Sequence, residues 1–299
     1  MVALRERKRG GRSYFYLEHS ARVGGRVVKR EKYLGRSIPD DLEKVKRAFA
    51  EEIYRERWLA ELDVIKAGYD MHKKRLPTSA AEKELASFAV VFTYNTNRIE
   101  GSKLTLRETA HLLERSITPS AKPLRDIKEA EAHRDAFMEM VAEKKDIAYQ
   151  TLLYYHKRLF ESTKRDIAGQ LRQHQVAISG SRFVPPLAVE VHPLLMEFLS
   201  WYRKSKGNLH PVELAALVHL KLVTIHPFAD GNGRISRLMV NLVLNRNGFP
   251  MLDIPYEKRV GYYSALERAQ VKNDEAIFLN WFFRRYLKEN GKYARKEER

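Results

Sequence analysis

Residues 226–237 read His226-Pro227-Phe228-Ala229-Asp230-Gly231-Asn232-Gly233-Arg234-Ile235-Ser236-Arg237. They set a base, an acid, a glycine loop and two cations side by side. A histidine titrates near neutrality and suits general-base work. Asp230 is a hard oxygen ligand suited to a Mg²⁺ ion that bridges phosphates. Gly231, Asn232 and Gly233 form a join that needs tight backbone geometry. A loop feeding a helix N-terminus presents unpaired N–H groups at the positive end of the helix dipole, which is an anion site. Arg234 and Arg237 are three apart and share a face. Cations there oppose the dipole, and a bound polyanion would reverse that penalty.

The elements that must position these groups are two helices. From Pro211 onward, Leu214, Leu217, Val218 and Leu222 recur at helical spacing and run into the loop. Leu238, Leu242 and Val243 continue the pattern beyond it, and Gly248 ends it.

The same twelve residues resemble the signature of the Fic (Fido) family, His-x-Phe-x-Asp/Glu-Gly-Asn-Gly-Arg-x-x-Arg, at every fixed position. The resemblance implies a nucleotidyltransferase that moves AMP from ATP to a Ser, Thr or Tyr hydroxyl of a target protein. It implies that His226 is the catalytic base and that Asp230 holds Mg²⁺. It further implies that Gly231, Asn232 and Gly233 cradle the phosphates, while Arg234 takes the β-phosphate and Arg237 the γ-phosphate. Phe228 would be a core anchor. Relatives that transfer phosphate lack the second glycine, so Gly233 favours AMP transfer.

Upstream, residues 79–95 read as a helix with Leu85, Phe88, Val91 and Phe92 as its buried stripe. It runs into Asn95-Thr96-Asn97-Arg98-Ile99-Glu100-Gly101, and Thr105-Leu106-Arg107-Glu108 is a capping box for the next helix. A glutamate at a helix C-terminus opposes the dipole and wants a cationic partner. Thr96, Glu100 and Gly101 resemble the Fic inhibitory motif, Ser/Thr-x-x-x-Glu-Gly/Asn. That resemblance implies a Glu100–Arg237 pair that blocks seating of the γ-phosphate, hence self-inhibition. The same glutamate would serve the reverse reaction, hydrolytic removal of AMP, by orienting water.

Among the 299 residues, 44% are apolar, enough for a substantial core. The net charge of +17 suits nucleic acid, anionic membrane or acidic proteins without choosing among them. There is no cysteine, which excludes disulfides and thiol chemistry. The first residues carry no signal-peptide pattern and no apolar run is long enough to span a membrane, so a cytoplasmic location is expected.

Residues 1–38 hold 11 Lys and Arg against 3 Asp and Glu, about half the excess charge. Runs 13–19 and 26–34 read as strands joined at Gly24-Gly25, with a third strand if 3–9 pairs. Such a basic β-ribbon suits a major groove, or is a solvated sheet whose charges block aggregation. Residues 39–79 read as one linking helix, and further helices are expected near 124–143, 147–160, 190–204, 257–270 and 275–288. His156 reads as a buried structural histidine. The aromatics of 275–288 suit a core or a dimer face.

Between these helices, residues 176–186 alternate around Ser179-Gly180-Ser181-Arg182 and read as a β-hairpin whose prolines confine it to an edge. An edge of that kind recruits an extended peptide. By resemblance it is the flap that docks the target, with Ile178, Ser179, Gly180, Ser181, Arg182 and Phe183 at its tip. Resemblance also places Tyr263 and Gln270 at the adenine, although many relatives carry Asn where Gln270 stands.

The expected fold is mainly α, a Fic-type helical bundle with a β-hairpin flap, preceded by a small basic β-ribbon. The expected division is ribbon 1–38, linking helix 39–79, catalytic domain 80–290 and loose tail 291–299. The cofactors implied are ATP and Mg²⁺. The partners are a target protein, with nucleic acid through residues 10–36 and a homodimer also considered, and no membrane. A nucleic-acid-binding regulator is the alternative from another class.

Overall fold

The computed structural model describes residues 2–23, 26–143 and 145–294, in two compact units, Met1–Asp63 and Val64–Arg299. In the first unit, strands β1 (Ala3–Arg9), β2 (Arg12–Val23) and β3 (Arg26–Gly35) form an antiparallel sheet in the order β1-β2-β3. The segment 3–9 therefore does pair. Gly10 and Gly11, with φ of 57° and 73°, make the two-residue turn between β1 and β2. The Gly24-Gly25 turn lies outside the described residues. Alternate residues of β2 point inward, and Leu17 is fully buried, as is most of Phe49 from helix α1 (Leu42–Arg75). Arg30 and Lys32 of β3 pair with Glu56 and Glu52 of α1. The linking helix thus begins as part of the N-terminal unit, whose limit falls at Asp63 within α1 rather than at residue 38.

The second unit is helical. It holds α2 (Thr78–Ile99), α3 (Leu106–Arg115), α4 (Leu124–Ala142), α5 (Tyr149–Phe160) and α6 (Ala188–Ser205). These are followed by α7 (Pro211–Ile225), α8 (Asn232–Arg246), α9 (Arg259–Lys272) and α10 (Glu275–Asn290). The α7–α8 hairpin is the centre. Pro211 occupies the first helical position of α7, and the His210 ring accepts from the Val212 amide at 3.2 Å. Nearly every side chain of α7 is buried, so it is covered on all sides rather than along one stripe. Helices α6 and α10 pack on α7, while α2, α4 and α5 pack on α8. Even the polar Asn241 of α8 is fully buried, its amide exchanging hydrogen bonds with both N–H and C=O of Leu252 at 2.8 and 3.0 Å. The aromatics Phe278, Phe282, Phe283 and Tyr286 of α10 are buried in this core.

The capping box at Thr105 and Glu108 is formed. Three expectations are corrected. Of the expected α2 stripe Phe92 is buried, Leu85 and Phe88 are half-buried and Val91 is exposed, and Ala89, Val90, Thr93 and Thr96 complete the buried face. Residues 176–186 form no ladder; they run as an extended loop with one turn, where the Ser181 amide donates to the Ile178 carbonyl at 3.1 Å. The stretch holds Pro185 and Pro186, which lack the N–H a ladder needs. The tail is not loose from its start, because Gly291–Tyr293 forms a 3₁₀ turn and the Tyr293 ring meets Tyr69 at 4.9 Å. Gly68 lets this happen, since a Cβ there would overlap the Tyr293 carbonyl. Residues 295–299 lie outside the described residues. No helix among the described residues is long and apolar enough to cross a membrane.

Candidate active site

The 226–237 loop turns the chain from α7 into α8. His226 caps α7 in the left-handed region, with φ 51° and ψ 58°, which aims the chain back toward α8. Its Nδ1 lies 3.2 Å from the Val223 carbonyl, so that nitrogen carries the proton and Nε2 is left as the basic atom. Burial pushes its pKa below the usual histidine value, and the nearby Arg172 acts in the same direction. The ring is therefore neutral at pH 7.

Phe228 anchors the loop. It is fully buried and stacks on His156 with ring centroids 3.9 Å apart and planes 7° from parallel. Burying a phenylalanine contributes roughly 2–3 kcal/mol. His156 holds the loop a second time through Nε2, 3.0 Å from the Asp230 carbonyl, while its Nδ1 accepts from the Gly169 amide at 2.9 Å. Burial lowers its pKa to about 4, so it stays neutral. Asn232 closes the turn: its side chain accepts from the Phe228 amide at 2.9 Å and donates to the Phe228 carbonyl at 2.8 Å. That side chain is committed to the loop itself. The first-turn amides of α8 have no acceptor within the helix, which leaves them as the loop's donors for an anion.

Both glycines of the loop answer to space. Gly231 has φ 82°, and a Cβ there would fall 2.7 Å from Cζ of Phe160. A Cβ on Gly233 would collide with the Glu100 carboxylate and lie 3.0 Å from Nη1 of Arg237. Glu100 is therefore brought to the loop. At the end of α2 its Oε1 accepts from Nη2 of Arg237 at 2.6 Å. Arg237 is 3% exposed and spends its other donors on α2 and α9. Nε donates to the Thr96 hydroxyl at 2.7 Å, Nη2 also to the Thr96 carbonyl at 3.2 Å, and Nη1 to the Tyr262 hydroxyl at 3.2 Å. Burial works against its charge, but Tyr262 and Glu100 outweigh it and hold the guanidinium protonated. Gly101, at φ 97°, ends α2 in a conformation that favours glycine.

Arg234 does not turn toward the same place. It is buried, pairs with Glu129 of α4, reaches Asp230 at 3.3 Å and sits 4.6 Å above the Phe160 ring. Asp230 also accepts from Lys164 and from its neighbour, the Gly231 amide. Burial raises its pKa, but Arg234 and Lys164 pull it down further, so it is ionised well into the acid range.

Tyr263 and Gln270, expected at the adenine, both lie on α9 but make different contacts. Tyr263 is half exposed and its hydroxyl donates to the Ile99 carbonyl at 3.1 Å, bracing the end of α2. Gln270 donates to the Thr224 hydroxyl at 3.2 Å, at the edge of a cavity of about 340 Å³ between α6, α7, α9 and α10. In the 178–183 loop, Arg182 pairs with Glu267 of α9 at 2.8 Å, and the Ser181 hydroxyl accepts from the Phe183 amide at 3.1 Å. Gly180 turns at φ 75°, and Ser179 is exposed.

Glu129, Lys164, Phe160 and Arg172 belong to the site and were not anticipated. Asp126, Glu129, Ala130 and His133 share the buried face of α4. An acid on an apolar helix face requires a cation, which was the available signal. Arg172 has no carboxylate partner among the described residues. It donates to the carbonyls of His226 at 2.7 Å, His174 at 3.1 Å and Pro186 at 2.6 Å.

The Fic/DOC family profile matches residues 146–244, which contain the loop and both its helices; Glu100 precedes the match. The protein adenylyltransferase Fic of Drosophila willistoni is 35% identical over 220 residues, covering 72% of this chain and 43% of that protein. The protein adenylyltransferase fic-1 of Caenorhabditis elegans is 32% identical over 201 residues, covering 65% and 39%. The chain thus spans about two fifths of the length of these curated relatives. Among solved structures, Fic-1 of C. elegans superposes with a TM-score of 0.72 at 27% identity, covering 85% of this chain and 77% of that one. A Fic-domain signaling protein from Bacteroides thetaiotaomicron gives 0.71 at 26%, covering 78% and 95%. With its helical bundle similar to that of these structures and its α7–α8 loop inside the matched stretch, the chain carries a Fic/DOC domain over residues 146–244.

Proposed function

We propose that this chain transfers AMP from ATP to a Ser, Thr or Tyr hydroxyl of a target protein, and that Glu100 restrains the reaction. The observation that carries this reading is the Glu100–Arg237 pair, a carboxylate laid on a buried guanidinium at the opening of α8. A polyanion's terminal phosphate is the natural replacement for that carboxylate. At the other end of the loop His226 offers a neutral Nε2.

In this reading Nε2 of His226 takes the proton of the attacking hydroxyl. The hydroxyl oxygen forms a bond to the α-phosphorus, the bond from that phosphorus to the bridging oxygen breaks, and pyrophosphate leaves. The amides of Asn232, Gly233 and Arg234 meet the phosphates. Arg237 receives the γ-phosphate once Glu100 has swung off it. Arg234, bound by Glu129 and Asp230, holds the Asp230 carboxylate in place and reaches the β-phosphate only by loosening one of these pairs.

Asp230 fits a Mg²⁺ ion carried by the nucleotide, because such an ion needs only one or two carboxylates beside phosphate oxygens. Its side chain is 39% exposed at the mouth of the loop. Among the described residues no group of three or more acids and histidines surrounds it, so the nucleotide would supply most of the ligands. Lys164 must release the carboxylate first. When bound, the ion would neutralise charge on the phosphates. Tyr263 and Gln270 are assigned to the adenine, and 178–183 to the target segment, which would lie beside this extended loop as an added strand.

The relatives' names favour transfer over the reverse hydrolysis. The test is ATP labelled at the α-phosphate, with Mg²⁺ and cell extract as target. Label is expected on protein with the wild-type chain and none with His226→Ala. Equal labelling by both would refute the role of the base. Loss of AMP removal, without a gain of transfer, in Glu100→Gly would favour the hydrolase instead.

A further inference from the structure

The sheet of the N-terminal unit has two chemically distinct faces, and among the described residues of that unit α1 covers one of them. Leu17 and His19 point inward, and their neighbours Lys32 and Arg30 in β3 meet the acids of α1. The register then puts Arg5, Tyr16 and Tyr33 side by side on the opposite face, with Arg7 beside Tyr14 and Arg9 beside Arg12.

On that outer face the three tyrosine rings are contiguous. Tyr33 lies 5.1 Å from Tyr16 and 6.4 Å from Tyr14 between centroids, and it is 52% exposed. Arg7 sits 4.6 Å over the Tyr16 ring and Arg36 6.0 Å over Tyr14. The acids of this face, Glu18 and Glu31, are both engaged by Arg7 and Lys29. Arg9, Arg12 and Arg36 have no carboxylate partner among the described residues and are exposed.

We propose that the outer face of β1-β2-β3 binds single-stranded nucleic acid, with bases stacked on the Tyr14–Tyr16–Tyr33 cluster and phosphates on Arg9, Arg12 and Arg36. An aromatic platform rimmed by unpaired guanidiniums matches a strand whose bases expose their π-faces and whose backbone is a polyanion. A duplex hides those faces, so it gains only the charge term. The tyrosines lie in the middle of the face and the free arginines around the Gly10-Gly11 turn and the end of β3, so the two terms are separable by mutation. This inference does not depend on the AMP-transfer reading.

The test uses the full chain and fluorescein-labelled 20-nucleotide probes of mixed sequence. One is RNA, one is single-stranded DNA and one is the DNA duplex, and binding is read by anisotropy. Saturable binding of a single strand is expected, tighter than the duplex, with a negative dependence on salt of slope roughly −2 to −3 for three to four phosphate contacts. Tyr33→Ala is expected to weaken it at least about fivefold, and Tyr33→Phe, which keeps the ring, to restore it. Arg9→Glu with Arg12→Glu is expected to flatten the salt slope. The RNA and DNA arms assign the sugar. Unchanged melting of Tyr33→Ala keeps the comparison clean, since its ring is half exposed. Duplex binding as tight as the single strand, no effect of Tyr33→Ala, or no saturation below about 10 µM would each overturn the proposal.

Discussion

Replacing Glu100 with glycine removes a carboxylate 2.6 Å from Nη2 of Arg237. Charge centres about 4 Å apart attract by about 4 kcal/mol at an effective dielectric near 20. The Glu100 side chain is 26% exposed, so water screens part of this, and about 2–3 kcal/mol is a fair value for what the γ-phosphate must displace. Relief of that competition is expected to raise AMP transfer by roughly 30- to 150-fold. Arg237 keeps Thr96 and Tyr262, so the fold survives. Without ATP the variant should lose about 1–3 kcal/mol, because a buried guanidinium has lost its counterion. For a unit of this size that is a fall of roughly 3–10 °C in Tm. Mg·ATP should then restore more of the Tm than it adds to wild type. The assay is the initial rate of label transfer for wild type, Glu100→Gly and Glu100→Gln, with melts with and without Mg·ATP. A rate within about twofold of wild type, together with an unchanged nucleotide-dependent shift in Tm, would refute the competition argument.

Three further outcomes follow from the geometry. Gly231→Ala forces a side chain into φ 82° and against the Phe160 ring, so a loss of about 2–4 kcal/mol is expected in denaturant unfolding. The acid limb of kcat/KM is expected below pH 6.5, because burial lowers the pKa of His226 and the base is lost only when its ring is protonated; a limb well above pH 7 in a pH-rate profile would contradict this. Asp253 is half-buried, but its carboxyl oxygen Oδ1 is out of reach of solvent, and this desolvation raises its pKa to about 7. Being raised on folding, it contributes stability that is full below the unfolded value near 4 and lost as pH rises through about 7. Asp253→Asn, which accepts and donates without charge, is therefore expected to gain up to about 4 kcal/mol over wild type at pH 8 and nothing at pH 4, read from paired melts.

The helix pair and its loop were legible because spacing alone demands them: apolar residues at helical intervals on both sides of a Gly-Asn-Gly join. The Glu100–Arg237 contact was legible only through resemblance, since no local rule links residues 137 positions apart. Local pattern did say that Glu100 needed a cation. The roles of Asn232 and Arg234 were read as contacts to phosphate, yet one side chain clamps its own loop and the other is held by Glu129. Short motifs carry residue types, not the partners that distant helices bring. The segment 176–186 misled because alternation is necessary for a strand but not sufficient. With Pro185 and Pro186 short of donors and no second strand to pair with, it remained a loop. The N-terminal sheet was readable as strands, but which face held the tyrosines depended on register.

Arg172 ties three places in the chain with one permanent charge, and among the described residues no acid pairs with it. Its guanidinium is 3% exposed and donates to carbonyl oxygens at His226, His174 and Pro186, so releasing any one of them would cost a charge-assisted hydrogen bond. His174 and Pro186 are thereby tied to one side chain, while Ser179 and Gly180 between them are exposed. If 178–183 docks the target as proposed, its tip can be rewritten, lengthened or exchanged with the His226 imidazole undisturbed. On that reading, selectivity and chemistry are separately adjustable parts joined by one arginine.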